Sequence, residues 1–151
     1  MSALLNPTDQ QLISFIGKDI NNLMKNGQFV GIVYELYRAK KLKDKEYKNN
    51  CKGYDYKDPK TGYKYELKVT TSVVHEKYLR IQSFLDKKGL FDYMEISDRV
   101  NKRAFFVPHD VLFEEFDIDS YGHIYWSASY NKTDKCKRYN TELLLKYEAK
   151  K

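Results

Sequence analysis

The apolar positions of the chain change period several times, and each change marks an element. After Asn6-Pro7-Thr8, which reads as a helix start, Leu12, Ile13, Ile16, Ile20, Leu23 and Met24 recur at helical spacing until Asn26-Gly27 ends the run. The pattern predicts a second helix over 29–42, then a lysine-, aspartate- and asparagine-rich loop to about residue 52. The stretch GYDYKDPKTGYKYELKVTTS, residues 53–72, carries alternating segments on either side of Asp58-Pro59-Lys60-Thr61-Gly62, which predicts strand, turn, strand. A third helix is expected over 75–88, ended by Gly89. FDYMEIS and RAFFVP read as two strands joined by a polar turn around Asn101. His109-Asp110 is expected to cap a short helix through Phe116, HIYWSAS reads as a strand, and 141–150 as a closing helix.

Helices flank these strands without alternating regularly with them. The expected class is therefore α/β or α+β, with a central mixed β-sheet. No internal repeat and no low-complexity linker divides the chain, and 151 residues suit one domain, 1–151, with a sizeable core.

The hairpin raises a chemical question through its register. If 59–62 form a four-residue loop, Asp58 opposes Tyr63, and counting back Asp55 opposes Glu66. Lys68 lies two residues beyond Glu66 on the same face. Opposed like charges destabilise a sheet, and a cation bridging them relieves the cost. Two carboxylates and a main-chain carbonyl suit Mg²⁺, which takes oxygen ligands and keeps several waters. Tyr63, Tyr65, Leu67 and Val69 form the other, core-facing side. The plain alternative is a solvated edge hairpin whose Glu66 and Lys68 face water.

On the second helix, Ile32, Glu35, Leu36, Ala39 and Leu42 form one stripe in which Glu35 is the sole acid. Glu35 either pairs with Arg38 or Lys40 at the stripe's edge, or points at the charged face of the hairpin. Gly31, one turn earlier, would permit close approach of the helix.

Composition narrows the partner more than the chemistry. Hydrophobic residues make up 42% and aromatics 15%, enough for a folded core, and the net charge of +6 favours a polyanionic partner such as nucleic acid. Lys40, Lys41, Lys43, Lys45 and Lys48 form one basic cluster, and Lys132, Lys135, Lys137 and Arg138 another. Most of the fourteen tyrosines are expected in half-buried strands. Cys51 and Cys136 have no metal-binding spacing, which suggests a reduced, intracellular setting. No signal-peptide pattern and no apolar run near the ~18 residues of a membrane span is present, so a cytoplasmic protein is expected. His75, His109 and His123 show no ligand spacing and read as structural or surface residues, and Trp126 as core. Thr70 and Ser72 follow Lys68 closely enough to bond a phosphate.

GIVYELYRAKKL followed by KGYDYKDPKTGYKYELKVTTS resembles the core of the PD-(D/E)xK nuclease superfamily: a helix with a Glu, a strand with an Asp, a strand with Glu-x-Lys. Downstream, YLRIQSFLDKKGLFDYMEISDRVNKRAFFVP resembles the helix-strand-strand that completes that family's sheet, so the likeness spans about 28–110, with 111–151 adding a strand and helix. Tyr54, not proline, precedes Asp55, and Pro59 follows Asp58, which keeps Asp58 as a rival to Asp55. Asp58 sits three residues on, facing the opposite side of a regular strand, and Asp55 is preferred.

The resemblance implies a restriction-endonuclease-like fold and a Mg²⁺-dependent DNA endonuclease of restriction, homing, resolvase or phage type, with Mn²⁺ able to substitute. Asp55, Glu66 and the Leu67 carbonyl would hold the metal, Lys68 would orient or help deprotonate a water, and Glu35 would hold a second metal or a metal-bound water. The products would carry a 5′-phosphate and a 3′-hydroxyl. Cutting two strands implies a homodimer or higher symmetric oligomer. A non-catalytic DNA-binding or virion-assembly protein, or an RNA nuclease, on the same scaffold are the alternatives.

Overall fold

A computed structural model of the protein describes residues 8–48, 53–70, 73–74, 77–131 and 137–150. Asn6, Pro7, Cys51, Ser72, His75, Lys132, Lys135 and Cys136 lie outside the described residues. Helix α1, Asp9–Leu23, starts at a capping box: the Thr8 hydroxyl accepts from the Gln11 N–H, and the Gln11 side chain accepts from the Thr8 N–H. Helix α2, Gly27–Leu42, begins two residues before the expected start because Asn26 caps it, accepting from the N–H groups of Gln28 and Phe29.

Among the described residues six strands follow: β1, Tyr56–Lys57; β2, Lys64–Thr70; β3, Tyr78–Ile81; β4, Tyr93–Asp98; β5, Arg103–Pro108; and β6, Ile124–Ser127. The main sheet has the order β1-β2-β4-β5, with β2 parallel to β4 and the other pairs antiparallel. It is the expected mixed sheet flanked by helices. β3 pairs with β6 in a separate antiparallel ribbon. Helix α3, His109–Glu114, follows β5 directly, and α4, Arg138–Leu145, closes the chain's regular elements.

Two cores sandwich the sheet. On one face Ala39 of α2 packs against Tyr56 and Leu67, edged by Tyr34, Leu42, Tyr65 and Val69. On the other, Met94, Ile96, Phe105 and Val107 meet Leu79, Ile81, Ile124 and Trp126 of the ribbon, with Leu112 and Leu144 from α3 and α4. β4 is covered on both sides, as a central parallel-paired strand must be.

The helix expected over 75–88 is absent from the described part of that segment. Residues 78–81 form β3, and 85–87 a single 3₁₀ turn. Leu79 and Ile81 alternate with Tyr78 and Arg80, which suits a strand buried on one side, and Ser83 at φ 61° breaks any helical continuation. The connection between parallel β2 and β4 thus carries a strand and a 3₁₀ turn in place of the helix that the family resemblance implies.

The closing helix also departs from expectation, starting at Arg138 and ending at Leu145. Beyond it the Phe106 N–H donates to the Tyr147 carbonyl (2.9 Å) and the Ala149 N–H to the Ala104 carbonyl (2.8 Å). These bonds cover the outer edge of β5 and compete successfully with further helical turns. Among the described residues, no helix is long and apolar enough to cross a membrane.

Candidate active site

The turn chemistry of the hairpin sets the site's geometry. Asp58 Oδ1 accepts from the Lys60 N–H (2.9 Å), the Gly62 N–H reaches the Asp58 carbonyl (2.7 Å), and Gly62 takes φ +77°. The observed register pairs Tyr56 with Tyr65 and Lys57 with Lys64, and the Asp58 N–H donates to the Tyr63 carbonyl (2.9 Å), as the turn predicts; the paired ladder ends at Tyr56, one residue short of Asp55. Asp58 is therefore a turn residue here. At Asp55 the ladder bends: its N–H donates to the Tyr65 carbonyl (2.8 Å), and its Oδ2 accepts from the Leu67 N–H (2.7 Å). Leu67 turns its N–H toward the β1 edge, and strand geometry sends its carbonyl to the same edge.

Glu66 is 1% exposed. Its Oε1 receives Lys87 Nζ at 2.8 Å and Lys68 Nζ at 3.5 Å, whereas its buried Oε2 has no hydrogen-bond partner. Burial first, and the Asp55 charge second, push its carboxyl up to about 7 against the two lysines. Lys68 also donates to the Ser83 carbonyl (3.0 Å), which steadies it at the mouth of the site. Burial works to lower the Lys87 pKa, but the hydrogen bond and charge of Glu66 raise it overall.

Glu35 is buried and accepts from the Tyr47 hydroxyl (2.8 Å). Burial is the main cause of its raised pKa, and Asp55 is the nearby charge that adds to it. The alternative pairing with Arg38 does not occur. Arg38 donates instead to both oxygens of Glu95 (2.9 and 3.1 Å), which also accepts from Tyr56 (2.6 Å) and Ser97 (2.6 Å). Glu95 is buried but fully provided with donors, a structural arrangement. α2 is also rotated relative to the expected stripe: Val30, Glu35 and Ala39 turn inward, while Ile32 and Leu36 are exposed.

Asp55, Glu66, Lys68 and Glu35 thus share one electrostatic environment, with Lys87 added. Sequence reasoning missed Lys87 because its segment reads as helical, and no local pattern marks a lysine that reaches a strand 21 residues earlier. Among the described residues, no three His, Cys, Asp or Glu side chains gather as a metal-binding group.

Several other expectations resolve as structural. His109 accepts from the Gly89 N–H (2.7 Å) and packs on Phe91 and Phe113, His123 sits by Tyr125, and Trp126 is core. The Thr70 hydroxyl is buried and directed at the Arg80 carbonyl (3.5 Å), not held out for a phosphate. Gly31 does not serve close helix packing, since a Cβ there would meet nothing within 4 Å. Lys40, Lys41, Lys43, Lys45, Lys48, Lys137 and Arg138 are exposed. No protein-family model matches the chain, and a search of curated proteins returns no match.

Proposed function

We propose that the protein is a Mg²⁺-dependent nuclease that hydrolyses phosphodiester bonds of DNA. The observation that carries this reading is Glu66: a carboxylate 1% exposed, with one oxygen unpartnered, set beside Asp55 on the hairpin. A buried, half-satisfied acid next to a second acid is costly for a purely structural site. A divalent cation removes that cost. Asp55, the free oxygen of Glu66 and the Leu67 carbonyl are all hard oxygen donors, which fits Mg²⁺. When bound, the metal supplies charge neutralisation at the phosphate and a more acidic water.

The chain's own residues then divide the work. Lys68, held by the Ser83 carbonyl, orients the attacking water and offsets negative charge growing on the phosphate. Lys87 balances the acids while they wait for a cation, and is a second positive charge for the substrate. Glu35, whose proton is held more tightly than usual, is the residue suited to accept or relay a proton near Asp55. Exposed lysines at the end of α2 supply backbone contacts that carry no sequence information.

A second reading draws on the 2.8 Å Lys87–Glu66 ion pair, which would also suit a DNA-binding protein that has lost its chemistry. Incubation of wild type and Glu66→Gln with plasmid, branched DNA and RNA, each with Mg²⁺ and with EDTA, separates the readings. Metal-dependent cutting of DNA that Glu66→Gln abolishes supports the nuclease. Intact DNA in every lane supports the binding protein, and cutting confined to RNA changes the substrate.

A further inference from the structure

A cleft of about 560 Å³ opens beside Lys68, between the first turns of α2, the end of β2 and the end of β3. Its volume lies in the range of ligand pockets, ~300–1,000 Å³. Among the described residues the lining carries a single sign of charge: Lys68 and Arg80 contribute, and no described Asp or Glu does. Arg80 makes no ion pair with any described residue. Leu67, Val69 and Ile81 give apolar surface, and Gln28 and Gln82 give amides that both donate and accept. Cations for phosphate, apolar surface for sugar and base, and amides for base edges are the three requirements of a nucleotide site.

We propose that this cleft seats one nucleotide of the bound strand, adjoining the phosphate presented to Lys68, with Arg80 on its phosphate and Gln28 and Gln82 at its base. The assignment rests on the nuclease reading, because Lys68 is the residue that joins the cleft to the acidic pair. Gly31 supplies the test. It lines the cleft, and a side chain there would enter open space. Glycine inside a helix costs stability, so a larger helix former at this position favours folding while filling the cleft.

The experiment measures binding of a short, labelled single-stranded oligodeoxynucleotide by anisotropy in EDTA, for wild type, Gly31→Leu and Arg80→Gln, alongside thermal melting and cleavage in Mg²⁺. Gly31→Leu should melt at or above wild type yet bind about tenfold more weakly or worse, and cut correspondingly less. Arg80→Gln should bind several-fold more weakly with a shallower salt dependence. Folded Gly31→Leu with wild-type affinity overturns the assignment, as does a wild type that binds no oligonucleotide. If Gly31→Leu melts well below wild type, Arg80→Gln decides, and unchanged affinity there overturns it. Loss of binding in the variants together with no cutting by wild type would sink the nuclease reading and leave the cleft standing. Cutting by wild type with no effect of either variant would do the reverse.

Discussion

Glu66→Gln offers a test of the site's electrostatics that needs no substrate. The folded Glu66 carboxyl titrates near 7 against an ordinary 4.5, so between those values the folded state holds a proton that the unfolded chain has released. Stability must then fall as pH rises through that window, from no penalty below about 4.5 to the full penalty above about 7. The difference of about 2.5 converts to roughly 3 kcal/mol, and Glu66 is 1% exposed, so solvent screens little of it. Glutamine keeps the shape and removes the titration. Urea unfolding in EDTA should therefore show the variant gaining on wild type by roughly 2–3 kcal/mol between pH 5 and pH 8, or roughly 4–12 °C in Tm for a chain of this size. Loss of the partner of Lys87 shifts the variant by an amount that varies little over this range, so the slope is the quantity to read. Mg²⁺ at pH 8 should restore wild type and leave Glu66→Gln unmoved. A stability difference that is flat in pH, or that grows in the opposite direction, would refute the buried and poorly compensated carboxylate on which the site is built.

Asp55→Asn should abolish metal-dependent cutting while the protein stays folded, whereas Asp58→Asn should keep cutting and cost under ~1 kcal/mol of turn stability in urea unfolding. Lys87→Met should lower stability in EDTA, because a buried carboxylate loses its closest cation, and should enlarge the stabilisation seen by thermal melting when Mg²⁺ is added. Leu12, Ile13, Ile16 and Ile20 on α1 are exposed, as are Ile32, Val33, Leu36 and Tyr37 on α2. If these cover one another across a symmetric dimer, sedimentation should give a dimer for wild type and a monomer for Ile13→Glu combined with Ile16→Glu.

What was legible in the sequence was local. The Asp58–Gly62 turn set the hairpin register of Tyr56 and Lys57 against Tyr65 and Lys64, because turn chemistry and two-residue alternation act over a few residues. β4 and β5 were readable for the same reason. The misread segment, 75–88, contains a strand whose partner is β6, more than 40 residues away, and short apolar runs do not separate helix from strand without that partner. The inward face of α2 is set by packing on the sheet, and the pairing of Arg38 with Glu95 spans 57 residues, beyond any local pattern. Lys87 was invisible on the same grounds.

The site's composition is accordingly split in a way that bears on how it can be altered. Its candidate ligands all lie on one continuous stretch from Glu35 to Lys68, carried by α2 and the hairpin. The burial that raises Glu66 and the cation that meets it come from later in the chain, through β4 and the 3₁₀ turn at 85–87. The donor set is thus a portable module, whereas its tuning belongs to the host framework. A graft of residues 35–68 onto another sheet would transfer the oxygen atoms but not the proton affinity of Glu66. Conversely, variation confined to 85–98 would shift the proton affinity of Glu66 without touching a single candidate ligand.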